Sequence, residues 1–237
     1  MKFFNKQRSK LMAGKKINKY LKYAFGEIIL VVLGILIAVG INNWNQRKQL
    51  NAKSKDLKNQ VIAELKSDIT TIANYQKKID TIQQRFLKIL GKEYDETMTK
   101  RSDFIASLLF EPNVMNLDDT VINLIDNANL NDSKASKTLL NLSSSYKSHT
   151  QIVEDLEQLI FSKMNENLKE IEQTQSWYTD FITDFNCANE CIEFLLHDER
   201  HKARMASLRF LEVNVYGQTL KTMRVSLQQY LDELEIE

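Results

Sequence analysis

The sequence predicts an all-α protein: one N-terminal membrane helix that continues into an elongated three- or four-helix bundle. Three observations carry the prediction. The 237 residues include six Gly and one Pro, and after Gly40 only Gly91, Pro112 and Gly217 remain. Tight turns and hairpins draw on these residue types, so their scarcity implies few turns and long helices. Residues 23–41, YAFGEIILVVLGILIAVGI, are apolar apart from Glu27. The rest of the chain carries apolar residues at steps of three, four or seven, the period of a buried helix face.

Charge organises the chain in the same way. Residues 1–22 hold eight Lys or Arg and no acid. The net charge is +7 up to Asn42, which leaves −6 in the remainder of a chain whose total is +1. A basic head on an acidic body suits a membrane anchor. The body has no stripe of Lys and Arg with interleaved aromatics, which excludes nucleic acid as a partner.

The elements follow in order. Residues 1–22 form a basic cytoplasmic segment, in which Phe3, Phe4, Leu11, Met12 and Ile17 alternate with lysines, the pattern of a short amphipathic helix on an anionic leaflet. A frayed basic tail is the alternative. Residues 23–42 form the membrane helix. Its 19-residue apolar core is roughly 28 Å long as a helix, close to the ~30 Å hydrocarbon thickness. Tyr20, Tyr23 and Phe25 at one end and Trp44 at the other fit the two interfaces. A cleaved signal peptide would have a shorter apolar region and a small-residue site, for which Ala38, Val39 and Gly40 are poor candidates. The Lys and Arg bias places the N-terminus in the cytoplasm and residues 43–237 outside it.

That helix continues without a breaker from Asn43 to Leu90, with Leu50, Leu57, Val61, Leu65, Ile69, Ile72, Ile79, Ile82, Phe86 and Ile89 on its seam, and Gly91 stops it. A polar loop and a short helix over residues 103–110 precede Pro112. Asp118 or Asp119 caps a second short helix; Asn131, Asp132 and Ser133 form a turn and cap before a long helix over residues 134–173, whose seam is Leu139, Leu142, Tyr146, His149, Val153, Leu156, Ile160, Met164, Leu168 and Ile171. Residues 175–186 read as aromatic-rich loop or short turns, and residues 187–196 as a short helix. A final helix runs from Asp198 to the end. Three long helices with one apolar stripe each bury those stripes by lengthwise packing.

Few residues invite a chemical reading. Glu27 is an ionisable group in a membrane helix. It lies one turn from the cytoplasmic end, where the interface and the helix dipole accommodate it, and a partner helix or an ion path is the functional alternative. Glu27, Gly34 and Ala38 share one face, and Gly34 and Ala38 form a small-xxx-small pair that permits close helix approach. Cys187, Cys191, His197 and His201 have the residue types of a zinc site. In one unbroken helix Cys187 and His201 would stand about 21 Å apart, so metal binding needs a break near His197. A Cys187–Cys191 disulfide in an oxidising compartment is the stronger reading; free buried thiols with solvated histidines are the third. His149 falls on the seam and reads as a hydrogen-bonded core residue. Ser143, Ser144 and Ser145 lack a glycine elbow and partners, and there is no phosphate-cradling loop. The sequence therefore predicts no enzyme, no cofactor and no catalytic residue.

Lys22, Gly26, Glu27, Gly34 and the run Asn42, Asn43, Trp44, Asn45 form a signature. It resembles the N-terminus of a large bacterial family of single-pass membrane proteins of unknown function. Val39 and Gly40 depart from the Leu–Gln pair of that signature. Beyond the first fifty residues the likeness is a helical body with an apolar helix–turn–helix, here over residues 121–140. The resemblance implies a bacterial membrane protein and implies no activity or substrate; with the Lys and Arg bias, the expected location is the inner membrane with a periplasmic body. The expected function is a membrane-anchored interaction or scaffold subunit. Its expected partners are the membrane and either further copies of the chain or other membrane-protein subunits, with a small-molecule ligand disfavoured. A ligand sensor acting through a partner, or a channel or motor accessory subunit using Glu27, is the alternative.

Overall fold

The computed structural model describes residues 17–91, 109–115, 117–187 and 189–236. Residues 1–16 of the basic segment and residues 103–108 of the expected helix over residues 103–110 lie outside them. The fold is all-α, as predicted. Helix α1 spans Ile17–Ile89, 73 residues without an internal breaker. It ends where Gly91 adopts φ +74°, a left-handed turn that glycine takes without a Cβ penalty.

The chain forms two compact units, residues 1–55 and residues 56–237. In the first, α1 carries its apolar side chains outward. Leu30 is 73% exposed, and Ile28, Leu33, Leu36, Ile37 and Trp44 are exposed with it. Lys48 Nζ stands 5.7 Å from the Trp44 ring centroid, a cation–π contact at the polar end of the stretch.

The second unit is a helical bundle. The later part of α1 packs with α3 (Lys134–Thr174) and with a C-terminal helical column of α6 (Glu199–Arg209), a π-helix (Phe210–Tyr216) and α7 (Gly217–Ile236). Side-chain pairs fix the directions. Asp68 meets Tyr146, while Tyr75 and Glu157 both meet Tyr216, so α1 and α3 run parallel. Asn167 meets Met205, and Ser145 meets Ser226, so the C-terminal column runs antiparallel to α3. Val61, Leu65, Ile72, Leu142, Tyr146, Ile160, Leu220, Met223 and Leu227 are sealed from solvent between the three. Full burial of each Leu, Ile, Val or Met contributes roughly 1.5–3 kcal/mol, so these stripes supply the main driving force for the bundle.

Two parallel helices need a return connection, and residues 109–128 provide it. Leu109 packs with Ile171 and Phe181, Asn113 contacts Tyr75 and Glu212, and Asp126 accepts from Ser143 and Lys147. The strap therefore runs back along the bundle and includes α2 (Thr120–Asp126). Asp118 Oδ1 accepts from Thr120 N at 3.0 Å, and Ser133 accepts from Ser136 N at the start of α3. Only the second is a side-chain cap: Asp119 holds the N-cap position of α2 without a side-chain bond, and Asp118 closes a turn just before it, so the cap expected from Asp118 or Asp119 is not made.

Four further details differ from the sequence-based expectations. The aromatic-rich loop contains a two-turn helix, α4 (Tyr178–Asp184), because Trp177 and Phe181 bury one turn apart in a second core. The next short helix, α5, is Asn189–His197 and starts two residues late, after Cys187 has left helical geometry. His149 is half-buried rather than a core residue. The final helix is interrupted by the π-helix. Buried positions there fall at Leu208, Glu212, Tyr216 and Leu220, three successive steps of four. An α-helix would rotate such positions progressively off the core; π-type i→i+5 bonding takes more residues per turn and keeps them in line.

Candidate functional site

The bundle contains one concentrated polar network, and the π-helix builds it. Glu212 is 3% exposed. Asn113 Nδ2 donates to Glu212 Oε2 at 3.3 Å, and the Tyr75 hydroxyl donates to the Asn113 carbonyl. The Tyr216 hydroxyl donates to Glu157 Oε1 at 2.5 Å and accepts from Met115 N at 2.8 Å. Tyr75 and Tyr216 meet edge to face with ring centroids 5.7 Å apart. Thus α1, the strap, α3 and the π-helix converge on one cluster with two carboxyls and two phenols.

The electrostatics follow from burial. Desolvation pushes the Glu212 carboxyl up to about 7, opposed in part by Asn113 and by the charge of Lys78. Desolvation also raises Glu157, against the lowering bond from Tyr216. Both phenols are raised by burial, Tyr75 further by Glu212 and Tyr216 further by Glu157. A second pair lies along the same bundle: the Tyr146 hydroxyl donates to Asp68 Oδ2 at 2.8 Å, and burial lifts Asp68 to about 6. Of these carboxyls Glu212 titrates near neutrality, and Tyr75, Glu212 and Tyr216 fasten the strap at Asn113 and Met115. Gly217 closes the space beside the π-helix: a Cβ there would stand 2.9 Å from Ile79 Cδ1.

The sequence-predicted residues occupy two other places. Glu27, Gly34 and Ala38 all lie exposed on α1, with nothing within 4 Å of a Cβ built at Gly34. The Cys and His residues do not assemble as four ligands. Cys187 and Cys191 are joined to each other, Cα to Cα 5.2 Å, which removes both thiolates from any metal set. Helix α5 does end at His197, and Asp198 caps α6 by accepting from His201 N at 2.7 Å. The break sends the two histidines apart. His197 is exposed, 3.9 Å from Glu193. His201 is wholly buried, 5.1 Å from the Phe194 ring centroid, with neither ring nitrogen hydrogen-bonded. It is not the solvated residue that the free-thiol alternative supposed. Among the described residues no three His, Cys, Asp or Glu form a metal-holding group.

Sequence reasoning missed Glu212, Glu157, Asp68 and Asn113, since isolated acids and an asparagine on a helix read as surface. The signal for Glu212 was positional: it lies four residues before Tyr216 and four after Leu208, on the buried line.

The fold and the sites define a class: an all-α protein that has, among the described residues, one helix long and apolar enough to cross a membrane, and a helical bundle with an apolar core and buried polar pairs. Comparison with protein-family models, curated proteins and solved structures gives no match for this chain.

Proposed function

We propose that this chain is a single-pass membrane protein of the bacterial envelope whose helical body, outside the cytoplasm, is an interaction or scaffold module of a larger membrane assembly. One observation supports the reading above the others. An 18-residue window of α1 has a mean hydropathy of 2.7, and none of it is buried. A helix of that composition left bare in water would forfeit its whole apolar gain, so hydrocarbon or another protein covers it. The resemblance of residues 22–45 to the bacterial membrane family adds to this reading. So does the Cys187–Cys191 bridge, since disulfides persist in oxidising compartments.

A scaffold role fits the chemistry of the body. Its buried carboxyls and phenols are bonded to one another or to Asn113 and hold elements together, and the disulfide closes a local turn. The Glu27, Gly34 and Ala38 face is the place where another helix would dock in the bilayer. Lipid offers Glu27 no hydrogen-bond partner, and the missing side chain at Gly34 permits close backbone approach. Site-directed photocrosslinking along residues 23–42 in intact membranes tests this. Crosslinks to protein concentrate on the Glu27, Gly34 and Ala38 face under this proposal; crosslinks to lipid alone at every position would reduce the segment to a plain anchor.

A further inference from the structure

We propose that the Cys187–Cys191 bridge is an exchange-competent disulfide, opened at Cys187 by a small, positively charged thiol while the bundle stays folded. The two sulfurs are placed unequally. Cys191 is wholly buried in the second core with Ile171, Trp177, Phe181 and Leu195, whereas Cys187 is only partly buried and stands in the non-helical connection before α5. An incoming thiolate therefore reaches Cys187 Sγ alone. The new bond joins the reagent's sulfur to Cys187, the Cys187–Cys191 bond breaks, and its electron pair leaves on Cys191 Sγ. Cys191 lies in the first turn of α5, whose amide dipoles favour that developing thiolate, which then takes a proton from water. A second reagent thiolate attacks the reagent's sulfur in the mixed disulfide and releases Cys187. Two reagent thiols end as one disulfide, and the protein bridge ends as two thiols.

Opening leaves the fold intact for two reasons. The bridge spans four positions and ties no distant elements together, so it removes little loop entropy from the unfolded chain. A protonated Cys191 is a small apolar group suited to an aromatic core. What the bridge does hold is the α4–α5 turn. Phe185, two residues before Cys187, sits at φ +52°, a left-handed conformation unfavourable for a side chain of its size. Reduction frees that turn to relax. Charge selects the reagent: no Lys or Arg occurs from Glu170 to Glu199, while Asp180, Asp184, Glu190 and Glu193 are exposed around the turn.

The test uses the full chain in neutral detergent micelles with two probes of similar size, cysteamine (cationic) and 2-mercaptoethanesulfonate (anionic). Each rate is normalised to that probe's rate on a small uncharged disulfide. Mass spectrometry after alkylation is expected to place the mixed disulfide on Cys187, with the helical circular dichroism retained. Cysteamine is expected to react several-fold faster, the ratio falling towards one in high salt. Hydrogen exchange is expected to rise around residues 184–188 after reduction. The Cys191→Ser variant has no bridge to open and is expected to form no adduct with either thiol, and the wild-type rates decide the matter if that variant does not fold. Reduction only in denaturant, an adduct on Cys191, or equal normalised rates at low salt would overturn the proposal.

Discussion

Burial decides the protonation of single side chains in this bundle, and it does so with opposite signs at two places. Glu212 is raised from 4.5 to about 7 by desolvation. Its contribution to stability is fully present below pH 4.5 and is lost as pH rises to about 7, a change of roughly 3 kcal/mol. His201 is lowered from 6.5 to about 4, first by desolvation and then by the charge of Arg204, with Asp198 opposing. Its contribution is present above pH 6.5 and is lost as pH falls through about 4. Glu212→Gln keeps the shape and an oxygen for Asn113 and cannot ionise. It is expected to raise stability at pH 8 by about 1–3 kcal/mol while changing little at pH 4.5. Urea melts of the full chain in detergent at the two pH values check this; equal effects at both would show that the proton is not responsible. His201→Leu is expected to reduce the loss of stability between pH 6.5 and 4, again read from urea melts. Neither residue was legible in the sequence. Glu212 looks like a surface acid and His201 like a metal ligand, and only the π-helix register and the break at Asp198 assign them to the interior.

At the scale of elements, periodicity was the reliable guide. The seam of α1 from Leu57 to Ile89 and the seam of α3 were legible because an apolar stripe on a long breaker-free helix has one way to be buried. The limits of α4 and α5 were not legible, since seven- and nine-residue helices offer too few turns for a period. The π-helix was legible only in hindsight, from the spacing of Leu208, Glu212, Tyr216 and Leu220. Its junction with α7 rests on Gly217, where an added Cβ meets the far end of the Ile79 side chain. Two effects compete in Gly217→Ala. Helix propensity favours Ala by about 1 kcal/mol, and displacing Ile79 costs a similar amount, so the change is expected to be near neutral. Gly217→Val overfills the junction and is expected to cost about 1–3 kcal/mol. Ile79→Ala should reduce that penalty, and a double-mutant cycle of unfolding free energies measures the coupling. Additive effects would place the crowding elsewhere.

For the molecule as a whole, the sequence displays the long apolar N-terminal helix and the helical class openly, because composition alone states them. It conceals the polar network, which exists only when α1, the strap, α3 and the π-helix meet. The proposed membrane placement makes one face of residues 23–42 a docking face. Gly34→Ile is expected to weaken assembly in membranes while leaving insertion intact. Glu27→Gln is expected to weaken it less, since its amide still bonds and such interhelical bonds average only ~0.6 kcal/mol. Crosslink yield in membranes ranks the two, and the reverse order would make the carboxylate the main contact. The most direct measurement of the central claim is topology. Two reporters are fused in turn after Glu237 in a bacterial host, one active only outside the cytoplasm and one only inside it. The account predicts that the first is active and the second silent, with the fusion extracted from membranes only by detergent. A C-terminus active only in the cytoplasm, or a product released without detergent, would contradict it.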